Sequence, residues 1–276
     1  MKCSEGRRAA RSIRRDIVGK WLWGVAALLL VSTSARAADV MPVIAAQPGE
    51  QQPDHPTFSF SPYLWAAGIS GDTAVFGLPE VHSQESFADL LKDVDFGFTG
   101  AGEIRYGKFS VLTDLSYARV TSDSATPRGV FADSVALKQE TFTGMLGFGY
   151  TILGDEQSHL DAVAGAKLWW TETTISFRGG PLGGASGREE ATWVDGLAGF
   201  RGVYSITPNV YLTGWGLVGA GGADIDWDVM GGVGYKFKES VSAVIGYRAL
   251  GVNYSNGRLT NDIVEQGPIL GLVVHF

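Results

Sequence analysis

The sequence is poor in several features that define common protein classes. It contains one cysteine, Cys3, so a disulfide-stabilised scaffold is excluded. Charged residues make up 18% of the 276 residues, below the roughly 25% that is usual in globular proteins. At most one stretch approaches the ~20 apolar residues of a membrane-spanning helix, so a helical membrane bundle is also excluded. The hydrophobic content of 45% argues against disorder.

Glycine and aromatic residues are abundant by contrast. There are 38 glycines, about twice the ordinary fraction of ~7%, and 11% of the residues are aromatic. The glycines follow no three-residue period, which excludes collagen. This composition is typical of a large β-structure in which small residues relieve crowding between strands.

The first 37 residues have the pattern of a secretory signal peptide. Basic residues precede a short apolar core over residues 21–31, and Ala35 and Ala37 supply the small residues of a cleavage site. The core is too short to span about 30 Å of hydrocarbon, which favours a cleaved signal over a membrane anchor. We therefore predict a signal peptide (1–37), a flexible Pro/Gln-rich periplasmic lead-in (38–56) and one folded domain (57–276).

Removing the signal changes the charge of the protein. Segment 1–37 holds 8 of the 22 basic and 2 of the 29 acidic residues, which leaves 14 basic and 27 acidic residues and a net charge of −13. The mature chain also has no cysteine. An acidic exported protein is a poor candidate for binding nucleic acid.

From residue 57 onward the sequence alternates between apolar and polar residues in ten segments separated by turn residues. The predicted strands are 57–71, 94–107, 108–121, 134–152, 158–177, 190–206, 209–222, 225–237, 240–254 and 262–276. Short and long connections alternate along most of the chain, as in an up-and-down barrel with tight periplasmic turns and longer outer loops. We predict an all-β fold, a closed antiparallel transmembrane barrel of about ten strands, with eight or twelve as alternatives.

The two faces of these strands differ in polarity. Apolar residues on one parity suit lipid, and charged residues on the other suit a wet or ion-paired interior. The predicted lumen charges are Glu103, Arg105, Asp114, Lys167, Asp195, Arg201, Asp226, Asp228, Arg248 and Glu265. They are consistent with a filled, ion-paired lumen, which is favoured, or with a narrow pore that selects small polar solutes. The aromatic residues predicted for the interfacial girdles are Tyr63, Trp65, Tyr106, Tyr150, Trp170, Tyr204, Tyr235 and Phe276.

The last strand carries the most specific pattern. Leu270, Leu272, Val274 and Phe276 are apolar at every second position, and the sequence finishes on Phe276. Here the chain resembles Gram-negative outer-membrane β-barrels, whose final strand serves as a signal to the barrel assembly machinery. The opening strand (58–71) and the run 86–96 resemble a large, mostly uncharacterised proteobacterial family of such proteins. The resemblance implies location in the outer membrane, with its lipid and lipopolysaccharide as partners, and no activity.

One short helix is predicted in the first outer loop, within residues 83–95. Phe87, Leu90, Leu91 and Val94 fall on one helical face, and Ser86 is placed to cap the helix. We predict a plug or lid at the barrel mouth, with a packing helix that covers the loop layer as an equal alternative.

Other candidate sites are weaker. Asp224, Asp226 and Asp228 share a parity near the predicted outer rim and form a weak calcium candidate, although a solvated rim is favoured. His82 is the only histidine predicted in an outer loop. We therefore expect no metal, no cofactor and no enzymatic activity, and we leave the oligomeric state open.

The sequence favours a narrow porin-like channel or a structural envelope protein. Two alternatives remain: an omptin-like hydrolase that uses His82 and acidic loop residues at the rim, or a surface binding or adhesion protein that acts through outer loops 72–93 and 178–189.

Overall fold

The structure, a computed structural model, describes residues 55–125, 132–155 and 157–276. The predicted signal peptide lies outside the described residues, as does the predicted lead-in up to residue 54. The described chain forms β1 (Thr57–Trp65), β2 (Gly68–Ala74), β3 (Val81–Glu85), α1 (Phe87–Asp93), β4 (Val94–Tyr106), β5 (Phe109–Ala125), β6 (Ser134–Gly154), β7 (His159–Arg178), β8 (Ser186–Ser205), β9 (Val210–Gly221), β10 (Ile225–Lys238), β11 (Val241–Ser255) and β12 (Thr260–His275).

The strands close into a barrel. Ten of them, β1 and β4 to β12, pair in chain order, and β1 also pairs antiparallel with β12. Closure leaves no free sheet edge around this part of the wall, as lipid requires. The predicted all-β closed barrel of about ten strands is confirmed, and β2 and β3 are two additional strands. Nine of the predicted segments correspond to β4 to β12 with shifts of a few residues at their ends, whereas the first, 57–71, is divided between β1 and β2.

The two ends of the barrel differ. Tight turns follow β4, β6, β8 and β10 at the end where β1 begins and β12 finishes. In outer-membrane barrels this is the periplasmic end. Strands β6, β7 and β8 have 21, 20 and 20 residues, whereas β9 and β10 have 12 and 14. β5 pairs with β6 as far as Ala125↔Ser134, so β5 to β8 all reach far outward. The outer rim is uneven because β8 begins at Ser186, whereas its pairing with β9 ends at Asp195↔Gly221.

The outward face of the wall is apolar. Large hydrophobic side chains on successive strands are exposed, among them Phe60, Phe98, Leu146, Phe148, Val194, Phe200, Val218, Val233, Ile245, Leu270 and Leu272. Such a continuous belt is far larger than the apolar patches of soluble proteins. Its alternation with buried polar side chains such as Asp161 and Lys167 matches a wall with lipid outside and a polar lumen inside.

The wall changes its pairing near the first outer connection. β1 pairs with β4 as far as Pro62↔Gly100, and β2 pairs with β3 from Ile69↔Glu85 onward. Both β1 and β2 pair with β12 in one unbroken register. Residues 63–68 therefore stand opposite the longer segment 86–99, and the surplus chain forms α1.

Helix α1 lies in the wall and not in the lumen. It has seven residues, none of them buried, and it contacts β2 and β5. This length is too short to cross a membrane. Phe87, Leu91 and Val94 are exposed, whereas a plug would bury them in the barrel. The predicted helix is confirmed, but the structure contradicts its placement as a plug, because the helix fills the break between two segments of wall.

The start of α1 depends on one cap. The Ser86 hydroxyl accepts a hydrogen bond from the Asp89 backbone N–H at 3.3 Å, and the Lys92 ammonium lies 2.8 Å from the Asp89 carboxylate. Ser86→Ala should cost the helix about 1 kcal/mol, which hydrogen exchange of the amides of residues 87–93 will report as faster exchange. Ser124→Ala, at the exposed end of β5, is the control. Equal protection of α1 in both variants would contradict this prediction.

Candidate functional site

The inward-facing charged residues form separate levels along the barrel axis. The level nearest the periplasmic end joins β4, β7 and β8. The Arg105 guanidinium lies 2.8 Å from Glu103 and also pairs with Asp161, while Arg201 donates to Glu103 at 2.6 Å. Asp161 is fully buried. Three of the predicted lumen charges are indeed adjacent to each other, and Asp161 completes the cluster.

A second level crosses the lumen near its middle. Arg248 on β11 donates to Asp228 on β10 at 2.6 Å and reaches Asp114 on β5 at 3.0 Å. Lys167 on β7 lies 2.8 Å from Asp226 and 3.6 Å from Asp228. All five side chains were predicted to face the lumen, and all five are buried. We call these five residues the central network.

Aromatic residues complete the central network. The Tyr63 hydroxyl donates to Asp114 at 2.8 Å and accepts from Arg248 at 2.6 Å. The Trp215 indole N–H donates to Asp228 at 2.8 Å. The Arg248 guanidinium also lies 4.9 Å from the centre of the Trp65 ring, a favourable distance for a cation–π contact.

The placement of Tyr63 and Trp65 in a membrane girdle was therefore wrong. Both side chains point into the lumen, because they share the parity of Ser59 and Ser61, while Phe58, Phe60 and Leu64 face outward. The alternation within this strand was the signal that locates them.

An apolar aromatic layer lies above the central network, toward the outer end. The Trp169 and Trp193 rings stack at 5.5 Å and the Trp193 and Tyr254 rings at 3.9 Å. Leu250, Val252, Leu259 and Ile263 are buried in the same cluster. The Trp169 indole N–H donates to Asp226 at 2.7 Å, so the aromatic layer is bonded directly to the charged level below it.

The two remaining predicted lumen charges lie outside these ion pairs. Asp195 is fully buried and accepts hydrogen bonds from the Trp193 indole at 3.0 Å and the Ala223 backbone N–H at 2.8 Å. Glu265 shares the inward parity of Ile263 and Ile269 on β12.

The three aspartates considered for calcium do not converge. Asp224 is exposed in the turn before β10, whereas Asp226 and Asp228 are buried in the lumen and paired with Lys167 and Arg248. The rim prediction was wrong because the long strands β6 to β8 extend beyond the start of β10. No group of three or more His, Cys, Asp or Glu residues in the described ranges is arranged to hold a metal ion.

His82 lies on β3 and faces away from the lumen. Its Nδ1 is 2.9 Å from the Asp72 carboxylate, and both side chains are well exposed. Asp262 of β12 is the cross-strand neighbour of Asp72. The predicted loop 72–93 is thus largely the β2–β3 hairpin with α1, and the predicted loop 178–189 shortens to the turn between β7 and β8.

A cavity of about 280 Å³ occupies the periplasmic half of the lumen. At the periplasmic end the cavity is lined by Thr57, Gln157 and His275. At its deep end it is lined by Tyr63 and Trp215, which contact the central network. Arg105, Arg201, His159 and Lys236 line its sides. The two arginines were among the predicted lumen charges. Lys236 shares the parity of Asp226 and Asp228, and His159 shares that of Asp161, so the alternation within each strand was the signal that locates both.

Comparison with known proteins identifies the fold. No family model and no curated protein matches the sequence. The outer membrane protease OmpT from Escherichia coli matches with a TM-score of 0.55 and 10% identity, over 83% of this chain and 99% of that chain. The translocator domain of autotransporter NalP from Neisseria meningitidis has a TM-score of 0.47 and 12% identity, over 97% and 98% of the two chains.

The protein therefore has the fold of Gram-negative outer-membrane β-barrels, and its continuous apolar belt is the surface that such a barrel presents to membrane lipid. At 10% identity the likeness to OmpT shows the fold alone and assigns no activity to this chain.

Proposed function

We propose that this protein is a non-enzymatic structural component of the outer membrane whose lumen is closed to solutes. The observation that carries the proposal is the span of Arg248. The Arg248 side chain projects from β11, and its guanidinium donates hydrogen bonds to Asp228 on the neighbouring strand β10 and to Asp114 on β5, on the far side of the lumen. A continuous solute path would have to break these buried ion pairs.

The aromatic layer supports the same proposal. Stacked Trp169, Trp193 and Tyr254 fill the outer half of the lumen next to Leu250 and Val252. Permeation pathways of porins are polar and water-filled, and small barrels of about eight strands are filled by side chains. A barrel with a charged central layer and an apolar outer layer fits a rigid envelope component better than it fits a narrow porin-like channel.

The chemistry at the outer rim does not change this view. A hydrolase needs a nucleophile or activated water next to a base and a site for the reacting atom. The His82–Asp72 pair supplies a base and its orienting group on the outward face of the β2–β3 hairpin. We therefore keep the rim hydrolase as an alternative. If the protein cleaves a substrate, His82→Ala should abolish that cleavage, and unchanged cleavage would exclude His82 as the base.

Insertion into planar lipid bilayers provides the decisive test. We expect the purified wild-type barrel to give no single-channel conductance, because the central network and the aromatic layer interrupt the path. A variant that lacks residues 83–95 should also remain silent, since α1 does not occupy the lumen and its removal leaves both blocking layers in place. Stepwise conductance of the wild-type protein would overturn the proposal.

A control must show that silent protein has inserted. Heat-modifiable gel migration reports the folded barrel, and resistance to carbonate extraction from vesicles reports integration. The matched conducting variant is Trp169→Ala with Trp193→Ala and Arg248→Ser, which removes the blocking side chains at both levels, together with Asp114→Asn and Asp228→Asn, which remove the carboxylates that Arg248 pairs with. Folded, integrated wild-type protein that stays silent beside a conducting variant supports a closed lumen.

We also propose that the barrel assembly machinery reads the last strand. Leu270 and Leu272 are exposed on the outward face of β12, and Phe276 follows directly after this strand. β12 is also the strand that pairs with β1 to close the wall. Lipopolysaccharide is the expected partner at the outer rim.

A further inference from the structure

The periplasmic cavity has one charged wall and one apolar wall. Its volume of about 280 Å³ lies at the lower edge of the ~300–1,000 Å³ that is usual for ligand pockets. The polar side comes from β4, β7 and β8, which carry Glu103, Arg105, His159 and Arg201. The strands β10 to β12 supply Met230, Val244, Ile269 and Val273 on the other side, with Lys236 of β10 at its periplasmic end.

The charges of this cavity do not cancel. Asp161 and Glu103 pair with Arg105, and Glu103 also pairs with Arg201. Arg201 donates to Glu103 through Nη1 alone, so its Nε and Nη2 groups have no partner among the described residues. The Lys236 ammonium has no acidic partner in the same ranges and lies 5.7 Å from the Tyr211 ring. Lys236 therefore leaves an uncompensated positive charge.

His159 adds an unsatisfied donor. Its side chain is 8% exposed, and its Nε2 lies 3.1 Å from Nη2 of Arg105. A guanidinium has no acceptor, so Nε2 is the acceptor and the proton of the neutral ring is on Nδ1. Nδ1 is buried and has no hydrogen-bond partner in the described part of the protein. A buried donor without a partner costs free energy, so this end of the lumen is not optimised for stability alone.

From these observations we propose that the cavity is a binding site for a compact organic carboxylate that enters from the periplasm. The carboxylate pairs with Lys236, and the free N–H groups of Arg201 lie deeper along the same cavity. The apolar body of the ligand packs against Met230, Val244 and Ile269. This inference goes beyond the structural role proposed above, because it assigns a ligand to the periplasmic half of the lumen.

The test uses the full-length mature barrel in detergent micelles with ¹³C-labelled methionine methyl groups. Benzoate is the probe, and benzyl alcohol is its neutral control of similar shape. We expect benzoate to shift the methyl signal of Met230, which lines the cavity. The signal of Met145, which packs beside Leu112 and Val163 and is not part of the cavity lining, should stay in place.

The variant Lys236→Gln should weaken benzoate binding about tenfold, because a charge-assisted contact is lost. Lys238→Gln, at the exposed end of the same strand and outside the cavity lining, should bind like wild type. Heat-modifiable migration confirms that both variants are folded.

Four outcomes overturn the proposal. The first three are an unmoved Met230 signal, equal binding of benzoate and benzyl alcohol, and wild-type affinity in Lys236→Gln. Titration with inorganic phosphate supplies the last comparison. Phosphate binding as tight as benzoate binding would show that the apolar wall contributes nothing and would overturn the assignment to an organic anion. None of these results depends on whether the barrel conducts.

Discussion

Replacing Arg248 with methionine should destabilise the barrel by about 3–5 kcal/mol. The Arg248 side chain is 3% exposed and bonds to Asp114, Asp228 and Tyr63. Methionine has a similar length but no charge, so both carboxylates lose their direct contact with Arg248. Removing one partner of a buried ion pair leaves a buried charge without its counter-charge, and the remaining hydrogen bonds from Tyr63 and Trp215 do not replace the guanidinium. Urea titration in detergent, followed by the heat-modifiable gel shift, measures this loss.

Arg258→Met is the matched control. Arg258 is also paired with a carboxylate, Glu189, at 2.9 Å, but its side chain is 70% exposed. An exposed pair contributes about 0–1 kcal/mol. Adding Asp114→Asn and Asp228→Asn to Arg248→Met should recover part of the lost stability, because the orphaned charges disappear as well. If Arg248→Met and Arg258→Met have equal urea midpoints, the central network is not a stabilising element.

The sequence predicts which face each charge occupies, because side chains on a strand alternate with a period of two. Lys167, Asp226 and Arg248 were all expected inside the barrel, and all are buried there. Their partners could not be predicted, because contacts across a lumen depend on the shear and tilt of the whole barrel. Arg248 and Asp114 are distant in sequence and meet only after closure.

Height along the axis was the other unpredictable quantity. Asp226 stands near the start of β10, which suggested the rim, yet it is fully buried because β7 and β8 extend beyond it. The predicted placement of α1 as a plug was wrong for a related reason. Its apolar stripe was visible in the sequence, but the break between β1 and β4 that it fills is a property of strand register.

The glycine content illustrates the same limit and leads to the second large effect. A Cβ built on Gly219, on β9, collides with the backbone carbonyl of Gly196 on β8 and lies 2.8 Å from its carbonyl carbon. Backbone atoms of a paired strand cannot move aside as a flexible side chain does. Gly219→Ala should therefore force β8 and β9 apart and cost more than about 3 kcal/mol. Reduced folded yield and a lower urea midpoint are the expected results.

Gly216, on the same strand, provides the matched control. It faces outward, and a Cβ there meets its nearest atom, in Val229, at 4.0 Å. Gly216→Ala should be neutral or slightly stabilising, because alanine restricts the unfolded chain. The pair separates a close approach between strands from the general flexibility of glycine, since both changes add one methyl group to β9. Equal loss of stability in the two variants would assign the glycine excess to strand flexibility and not to the close contact between β8 and β9.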